Sequence, residues 1–205
     1  MKYLLFVLMI AYVVVVPSAG QASVFESRAF GFSMKAPVGW QPLSEVEVAQ
    51  NLEGLDLDLK VREKLLLEQG RILLFAYSKQ KPGTIDGIIP KIEARVISNG
   101  LGRILTFGEF KPAAISAMKR FAVNYETYEY VIEPSETLVS GVRAVYQITK
   151  FRLKAGRGDS HSVRSRTYFI PYQTWFFQIS FSDDPKNNDC SALFDELIRS
   201  IRIGK

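Results

Sequence analysis

The sequence predicts an α+β domain built mainly from β-strands, and three observations support this prediction. Segments in which apolar and polar residues alternate recur along the chain, as in half-buried strands. Only a few segments carry the three-to-four-residue apolar spacing of a helix. The chain has 205 residues, of which 47% are hydrophobic and 23% are charged, so a single globular domain can bury a full core.

Residues 1–22 have the pattern of a secretory signal peptide. Lys2 supplies one positive charge, an apolar core covers 3–16, and the small residues Gly20 and Ala22 precede the expected cleavage point. As a helix this core would reach about 21 Å, which is shorter than a hydrocarbon layer of about 30 Å. We therefore expect cleavage after Ala22, with Ala19 as the second choice. The mature domain, 23–205, is expected to be exported and to lack a membrane span.

The remaining elements follow in order along the mature chain. Two short strands are expected over 23–28 and 30–35, followed by a turn that ends at Trp40. A capping box at Ser44 opens a helical region that is expected to end at residue 69, before Gly70. Further strands are expected over 71–78, 89–97, 128–133, 142–154, 162–170 and 175–182. Helices are expected over 112–124, where proline stands first, and over 191–200.

Four segments resemble the PsbP-like fold family. They are the Phe-x4-Pro-x-Gly-Trp pattern within 30–40, the helix near 112–124, the Gly-x-x-Ala pattern at 141–144, and the aromatic strand at 175–181 with the short helix after it. The family includes a photosystem II subunit, a Ran-binding import factor and exported bacterial proteins. The resemblance implies an α/β/α sandwich with a central antiparallel sheet and helices on both faces. It also implies binding or assembly roles, with residues 44–69 as an insertion.

Catalytic and metal-binding patterns are largely missing from the sequence. His161 is the single histidine, and it directly follows Asp159 and Ser160 in an expected turn, where a catalytic triad could not converge. Cys190 is the single cysteine, which excludes an internal disulfide and a cysteine–histidine zinc site, and we expect it to be buried. The acidic run 183–189 lacks the glycine of a calcium loop, so we expect a turn and a helix cap at Asp189. We expect no enzyme activity, no metal and no cofactor.

The positive charge of the chain is concentrated in one expected hairpin. The net charge is +5, and residues 150–166 contain a single acid, Asp159, among six cations. Those cations are Lys150, Arg152, Lys154, Arg157, Arg164 and Arg166. Residues two apart on a strand share a face, so pairing of Arg152 with Arg164 would place five cations on one side. Like charges that face each other repel, and this face should therefore have acidic neighbours or bind an anion.

The surroundings of this hairpin leave two points open. Acidic neighbours are available upstream, at Glu126, Glu129, Glu133 and Glu136. The apolar alternation that begins at Val142 becomes basic at Lys150, which indicates either a bulge near Thr149 or a strand that leaves the core. The face is accordingly either a solvated surface with local ion pairs or a binding site.

The favoured hypothesis is a noncatalytic, exported interaction module that binds an acidic protein or an anionic envelope surface. The candidate contact residues are Lys150, Arg152, Lys154, Arg164, Arg166, Tyr172 and Phe176. Export argues against nucleic acid as a partner, and the location would be periplasmic, extracellular or, in a photosynthetic source, the thylakoid lumen. The alternative is a small-ligand-binding protein or hydrolase with a cleft between the sheet and the 44–69 region. A structural role in the envelope stays open as well.

Overall fold

The structure is a computed structural model that describes residues 23–43, 70–81, 87–121, 125, 127–154 and 160–204. Three sequence predictions lie outside these residues. They are the signal peptide over 1–22, the helical region over 44–69 and residues 155–159 of the hairpin turn that was predicted over 155–161. Among the helices that are described, none combines the length and the apolar character needed to cross a bilayer.

Strands dominate the described residues. In chain order they are β1 (Val24–Ser27), β2 (Phe32–Lys35), β3 (Gln41–Pro42), β4 (Arg71–Ser78), β5 (Lys91–Ser98), β6 (Tyr128–Val139), β7 (Val142–Lys154), β8 (Ser160–Tyr172), β9 (Trp175–Asp183) and β10 (Arg202–Ile203). Helix α1 covers Phe107–Phe121 and helix α2 covers Ser191–Ser200. The sequence predicted the bounds of β4, β7 and α2 as the structure has them.

The strands form two antiparallel sheets. The larger has seven strands in the order β3-β4-β5-β9-β8-β7-β6, and the smaller has three in the order β1-β2-β10. Five of the six pairings in the larger sheet join consecutive strands. The β5–β9 pair instead joins distant parts of the chain, from Lys91 opposite Ser182 to Ser98 opposite Trp175. The predicted α+β class with a mostly antiparallel sheet is confirmed.

Strand β9 shows why the larger sheet has two different faces. Trp175, Phe177, Ile179 and Phe181 are buried and alternate with half-buried residues that point the other way. We call the side of these four residues the aromatic face. It packs against Phe30 and Phe32 beside the small sheet and against α2, for example with the Phe181 and Phe194 rings 4.9 Å apart. This is where the main core lies.

The opposite side, which we call the polar face, has a smaller apolar cluster at one end. There α1 places Phe110, Ala114 and Met118 against Val145 and Phe169. The next residues along β7, β8 and β9 on this face are polar, namely Gln147, Thr149, Ser165, Thr167, Gln178 and Ser180. The apolar side of α1 therefore covers only the apolar end of the polar face.

Helix α1 begins five residues before its predicted start. Proline is favoured at the first helical position, but Pro112 lies inside the helix. The start is fixed by a capping box: the Glu109 amide donates to Thr106 Oγ1 at 3.3 Å, and the Thr106 amide donates to Glu109 Oε2 at 2.8 Å. The sequence Thr-Phe-Gly-Glu at 106–109 carried this signal.

Strand β6 also exceeds its predicted end, because it continues past Pro134 to Val139. Proline lacks an amide donor, but β6 is an edge strand and its register with β7 is irregular between Ile132 and Ser135. At an edge bulge the missing donor breaks no pairing. A shorter difference occurs at 28–30, where a 3-10 turn closed by Gly31 at φ 64° separates β1 from β2.

Replacing Thr106 by alanine should destabilise the protein by about 1 kcal/mol, since it removes the side-chain acceptor at the start of α1. Urea unfolding followed by circular dichroism measures this change. Thr106→Ser keeps the hydroxyl oxygen and is the matched control, expected to match wild type. Equal stability of the alanine and serine variants would contradict the role of the capping box.

Glu109 should titrate at unusually low pH. Its hydrogen bond from Arg103, at 2.7 Å, and those from Thr106 lower the pKa of Glu109 from 4.5 to about 2. A lowered pKa means that the stabilisation is complete above pH 4.5 and is lost as the pH falls through about 2. NMR titration of the carboxyl carbon measures this pKa directly. In Arg103→Ala it should rise toward 4.5, and an unchanged pKa would rule out the ion pair as the main cause.

Candidate functional site

The predicted cations of the β7–β8 hairpin lie on the aromatic-face side of the sheet, but in a different register from the one expected. Lys150 lies opposite Arg164, and Arg152 lies opposite Ser162. The predicted pairing of Arg152 with Arg164 is therefore wrong by two residues. Alternation determines the face that a residue occupies, whereas any even shift of register preserves that face. The register depends on the pairing of the whole hairpin, which runs from Val145 opposite Phe169 to Lys154 opposite Ser160.

Arg164 is neutralised inside the protein. Its Nε donates to Asp183 Oδ1 at 2.9 Å, and its Nη2 donates to Asp183 Oδ2 at 2.5 Å and to Asp189 Oδ1 at 2.6 Å. The Asp183 side chain is fully buried, and that of Arg164 is only 13% exposed. The hydrogen bonds that Arg164 donates to Asp183 and Asp189 raise the pKa of Arg164, so it stays charged. This arginine holds β8 to the end of β9.

Asp189 takes part in the start of α2 as well. The helix begins at Ser191 with Cys190 before it, so the predicted cap position at Asp189 is one residue too early. The Asp189 carboxylate still accepts the Ser191 amide at 2.8 Å. Bonds from Ser191, and then from Arg164, lower the pKa of Asp189. The Asp189 carboxylate therefore accepts from both the helix amide and the arginine. A capping rule considers the helix alone, and it places the cap one residue too early. Cys190 is buried, as predicted.

Arg166 is neutralised by an aspartate of α2. Its Nη1 donates to Asp195 Oδ1 at 2.6 Å, and its guanidinium lies 6.0 Å from the centre of the Phe194 ring. Among the acids expected upstream, Glu126 lies outside the described residues, and Glu136 binds Lys111 and Arg143 instead, at 2.6 and 2.8 Å. The aspartates lie next to the arginines because β9 pairs with β8 and leads into α2.

Lys150 and Arg152 remain as exposed cations of this group. Neither forms an ion pair among the described residues, although Glu129 is the cross-strand neighbour of Lys150. Lys154 follows two residues after Arg152, at the end of β7. The β7–β8 register is continuous at Thr149, so the strand leaves the core without a bulge there. We call Lys150, Arg152 and Lys154 the basic tip.

The two aromatic candidates lie far from the basic tip. Tyr172 is at the other end of β8, roughly 26 Å along the strand from Arg164 at about 3.3 Å per residue. Its ring packs 5.9 Å from that of Trp175. Phe176 packs on the polar face, with its ring 5.7 Å from that of Phe110. The structure thus uses both rings in packing and does not bring them next to the cations.

His161 lies in strand β8 rather than in the predicted turn. It is half-buried and lies opposite Leu153. The pKa of the nearby Asp184 carboxyl is lowered mainly by hydrogen bonds from Lys186 and Asn187, and His161 also contributes to this lowering. Asp184 closes the 184–188 turn by accepting the Lys186 amide at 2.9 Å. Over the described part of the chain, no group of three metal-binding side chains is close enough to hold an ion.

A second candidate site lies on the polar face. A cavity of about 180 Å³ is lined there by three rings and six polar side chains. These are Tyr125, Tyr128, Phe151, Gln147, Thr149, Ser165, Thr167, Gln178 and Ser180, and we call this site the polar basin. The Tyr125 and Phe151 rings stack at 4.1 Å. Gln147 is 2% exposed and donates to the Tyr128 hydroxyl at 3.1 Å, while its Oε1 has no hydrogen-bond partner among the residues that the structure describes.

Sequence reasoning missed the polar basin, although a signal was present. Gln147 and Thr149, Ser165 and Thr167, and Gln178 and Ser180 are polar pairs two residues apart on three strands. Each pair taken alone is typical of the solvent side of a strand. Only the register, with Gln147 opposite Thr167 and Thr167 opposite Ser180, shows that the pairs form one polar surface.

No protein-family model and no curated protein matches the chain. Among solved structures, LpqN, involved in cell envelope biogenesis of Mycobacterium tuberculosis, is 14% identical with TM-score 0.47 over 92% of this chain and 88% of that one. A Bacteroides thetaiotaomicron protein is 16% identical with TM-score 0.49, over 91% of this chain and 50% of that one. The Saccharomyces cerevisiae Ran-binding protein MOG1P is 10% identical with TM-score 0.48, over 89% and 95%. All three TM-scores are below 0.5, and the likenesses are ones of structure only.

Asp183→Asn should destabilise the protein by about 3 kcal/mol or more, because it leaves the buried Arg164 charge with an incomplete partner. Chemical denaturation measures the loss. Glu136→Gln, which removes an exposed ion-pair acceptor, is the control and should change the unfolding midpoint much less. A double-mutant cycle with Arg164→Met separates the pair from its parts. Additive effects in that cycle would contradict the coupling.

Proposed function

We propose that the chain is a noncatalytic, exported interaction module that binds an acidic protein through the basic tip. One observation carries the proposal: within the same cationic face, the inner arginines are neutralised by aspartates, whereas no described residue neutralises Lys150 or Arg152. Arg164 and Arg166 have aspartate partners, whereas Lys150 and Arg152 are exposed and form no ion pair among the described residues. The signal-peptide pattern of 1–22 supports export as part of the proposal.

The two neutralised arginines fix the strand that pairs with the basic tip. Arg164 joins β8 to β9, and Arg166 joins β8 to α2, so the hairpin is held to the core where it leaves the sheet. Cations carried on a fixed strand lose less freedom on binding than cations on a free loop. The basic tip is therefore a preorganised surface for carboxylates.

The strength of such a contact is bounded by electrostatics. An exposed ion pair contributes about 0.2–1 kcal/mol, so two or three cations give a weak, salt-sensitive interaction. Screening shortens the range of these charges to about 8 Å at physiological ionic strength and about 3 Å at 1 M salt. The expected function is thus docking or assembly that can be reversed.

The experiment compares three forms of the mature protein. Wild type, Lys150→Ser/Arg152→Ser and the control Lys119→Ser/Arg120→Ser, which removes two exposed cations of α1, are used for capture from the native envelope fraction. We expect an acidic protein that wild type and the control retain, and that the tip variant loses by about tenfold or more. Binding should also weaken between about 0.05 and 1 M salt.

Two results would contradict the proposal. Retention of every captured protein by the tip variant would exclude the basic tip as the contact. Loss of purified partner binding in the control to the same extent would indicate a general charge effect. Vesicles with and without anionic lipid form a separate arm, and tip-dependent binding to anionic vesicles alone would replace the acidic protein by a membrane surface.

The predicted cleft between the sheet and the 44–69 region stays a prediction, because that region lies outside the described residues. The predicted absence of enzyme activity is part of the proposal.

A further inference from the structure

We propose that the polar basin binds one ring of a neutral, polyhydroxylated ligand, namely a sugar unit. This site is distinct from the basic tip. Strand alternation places Lys150 and Arg152 on one side of β7 and Gln147, Thr149 and Phe151 on the other. The inference therefore goes beyond the proposed function and does not depend on it.

The first argument is an unmet hydrogen-bonding capacity. Gln147 lies in β7, next to the edge strand of the seven-stranded sheet, and is almost completely buried, whereas apolar residues are the rule at such buried positions. Its amide nitrogen has a partner in Tyr128, but its Oε1 has none. A buried acceptor without a donor is costly, and native proteins retain such groups mainly where a ligand, water or function supplies the partner.

The second argument is the uniform chemistry of the lining. Glutamine amides and serine or threonine hydroxyls both donate and accept hydrogen bonds. A sugar hydroxyl also donates and accepts, so each hydroxyl of the ring can both donate a hydrogen bond to this lining and accept one from it. None of the described lining residues is charged. A phosphate or carboxylate would lose its hydration without gaining a counter-charge, and the basin should therefore discriminate against anions.

The third argument is the aromatic wall. Tyr125, Tyr128 and Phe151 form a group in which the Tyr125–Phe151 planes differ by 29° and the Tyr128–Phe151 planes by 10°. A sugar ring has one or two faces made of C–H groups, which pack well on such aromatic surfaces. Apolar rings on one side and a few orienting polar groups on the other are the usual composition of a small-molecule site.

The size of the cavity restricts the ligand further. A volume of about 180 Å³ holds about six waters at roughly 30 Å³ each. A single six-membered sugar ring with its hydroxyls has a comparable bulk, whereas a disaccharide would need to extend beyond the cavity. The expectation is recognition of one unit, either free or at the end of a glycan.

The experiment follows the side-chain amide of Gln147 by NMR while glucose, N-acetylglucosamine or maltose is added to the mature protein. Binding of at least one of them should be saturable, with Kd of about 1 mM, and should shift the Gln147 amide signals. Glucuronate and glucose 6-phosphate, which add a negative charge, should bind at least about tenfold more weakly than glucose. Tighter binding of the charged sugars would overturn the neutral-ligand assignment.

Two variants test the site and are expected to leave the stability of the fold intact. Gln147→Leu removes the amide but keeps most of the volume, and Thr167→Val removes one hydroxyl at nearly constant shape. Each should weaken sugar binding by about tenfold or more while thermal unfolding stays at or above the wild-type midpoint. Gln80→Leu is the matched control, because Gln80 also has an unpartnered Oε1 but lies outside the basin. It should bind sugar like wild type.

The outcomes separate binding from a structural role. If Gln147→Leu unfolds at lower temperature and no sugar shifts the wild-type signals, the buried amide is a structural group and the proposal is wrong. Saturable binding that Gln147→Leu and Thr167→Val leave unchanged would place the ligand elsewhere and would also overturn it. Binding of adenine, a planar base, at the same signals in preference to every sugar would reject the ligand class.

Discussion

Asp183 ends the central strand β9 with a carboxylate that is fully removed from solvent, and three parts of the fold meet at it. Arg164 of β8 binds it through two nitrogens, and the Cys190 amide before α2 donates to it at 2.8 Å. A buried charge is tolerated only with such complete pairing. The pairing therefore fixes the β7–β8 hairpin and the start of α2 relative to β9, and the aromatic core between them depends on that placement.

The same constraint divides the cations into two groups. Arg164 and Arg166 lie next to the acidic end of β9 and α2 and serve the fold, while Lys150 and Arg152 lie beyond reach of those acids and face solvent. Strand β7 then presents opposite chemistry on its two sides. Cations occupy one side near its end, and the neutral basin around Gln147 occupies the other. The two proposed sites can thus act separately on one rigid strand.

Much of the fold could be predicted locally. The apolar run at 71–78 determined β4, alternation determined β7, and the apolar spacing at 191–200 determined α2, because these patterns depend on neighbours within a few residues. The start of α1 also depends on nearby residues, since the Thr106–Glu109 capping box is visible in the sequence. The predicted start followed instead the preference of proline for the first helical position. Alternation also determined that Lys150 and Arg152 share a face of β7 and that Arg164 and Arg166 share a face of β8.

The sequence by itself determined the α+β class, the buried Cys190 and the concentration of cations in one hairpin. Only the tertiary structure decided which cations are free, since Asp183, Asp189 and Asp195 come from elements that meet β8 through the β8–β9 pairing. It also decided that polar pairs on three strands form one basin. Register and strand order are long-range properties, so the partners of a side chain across a sheet are not encoded in its immediate neighbours.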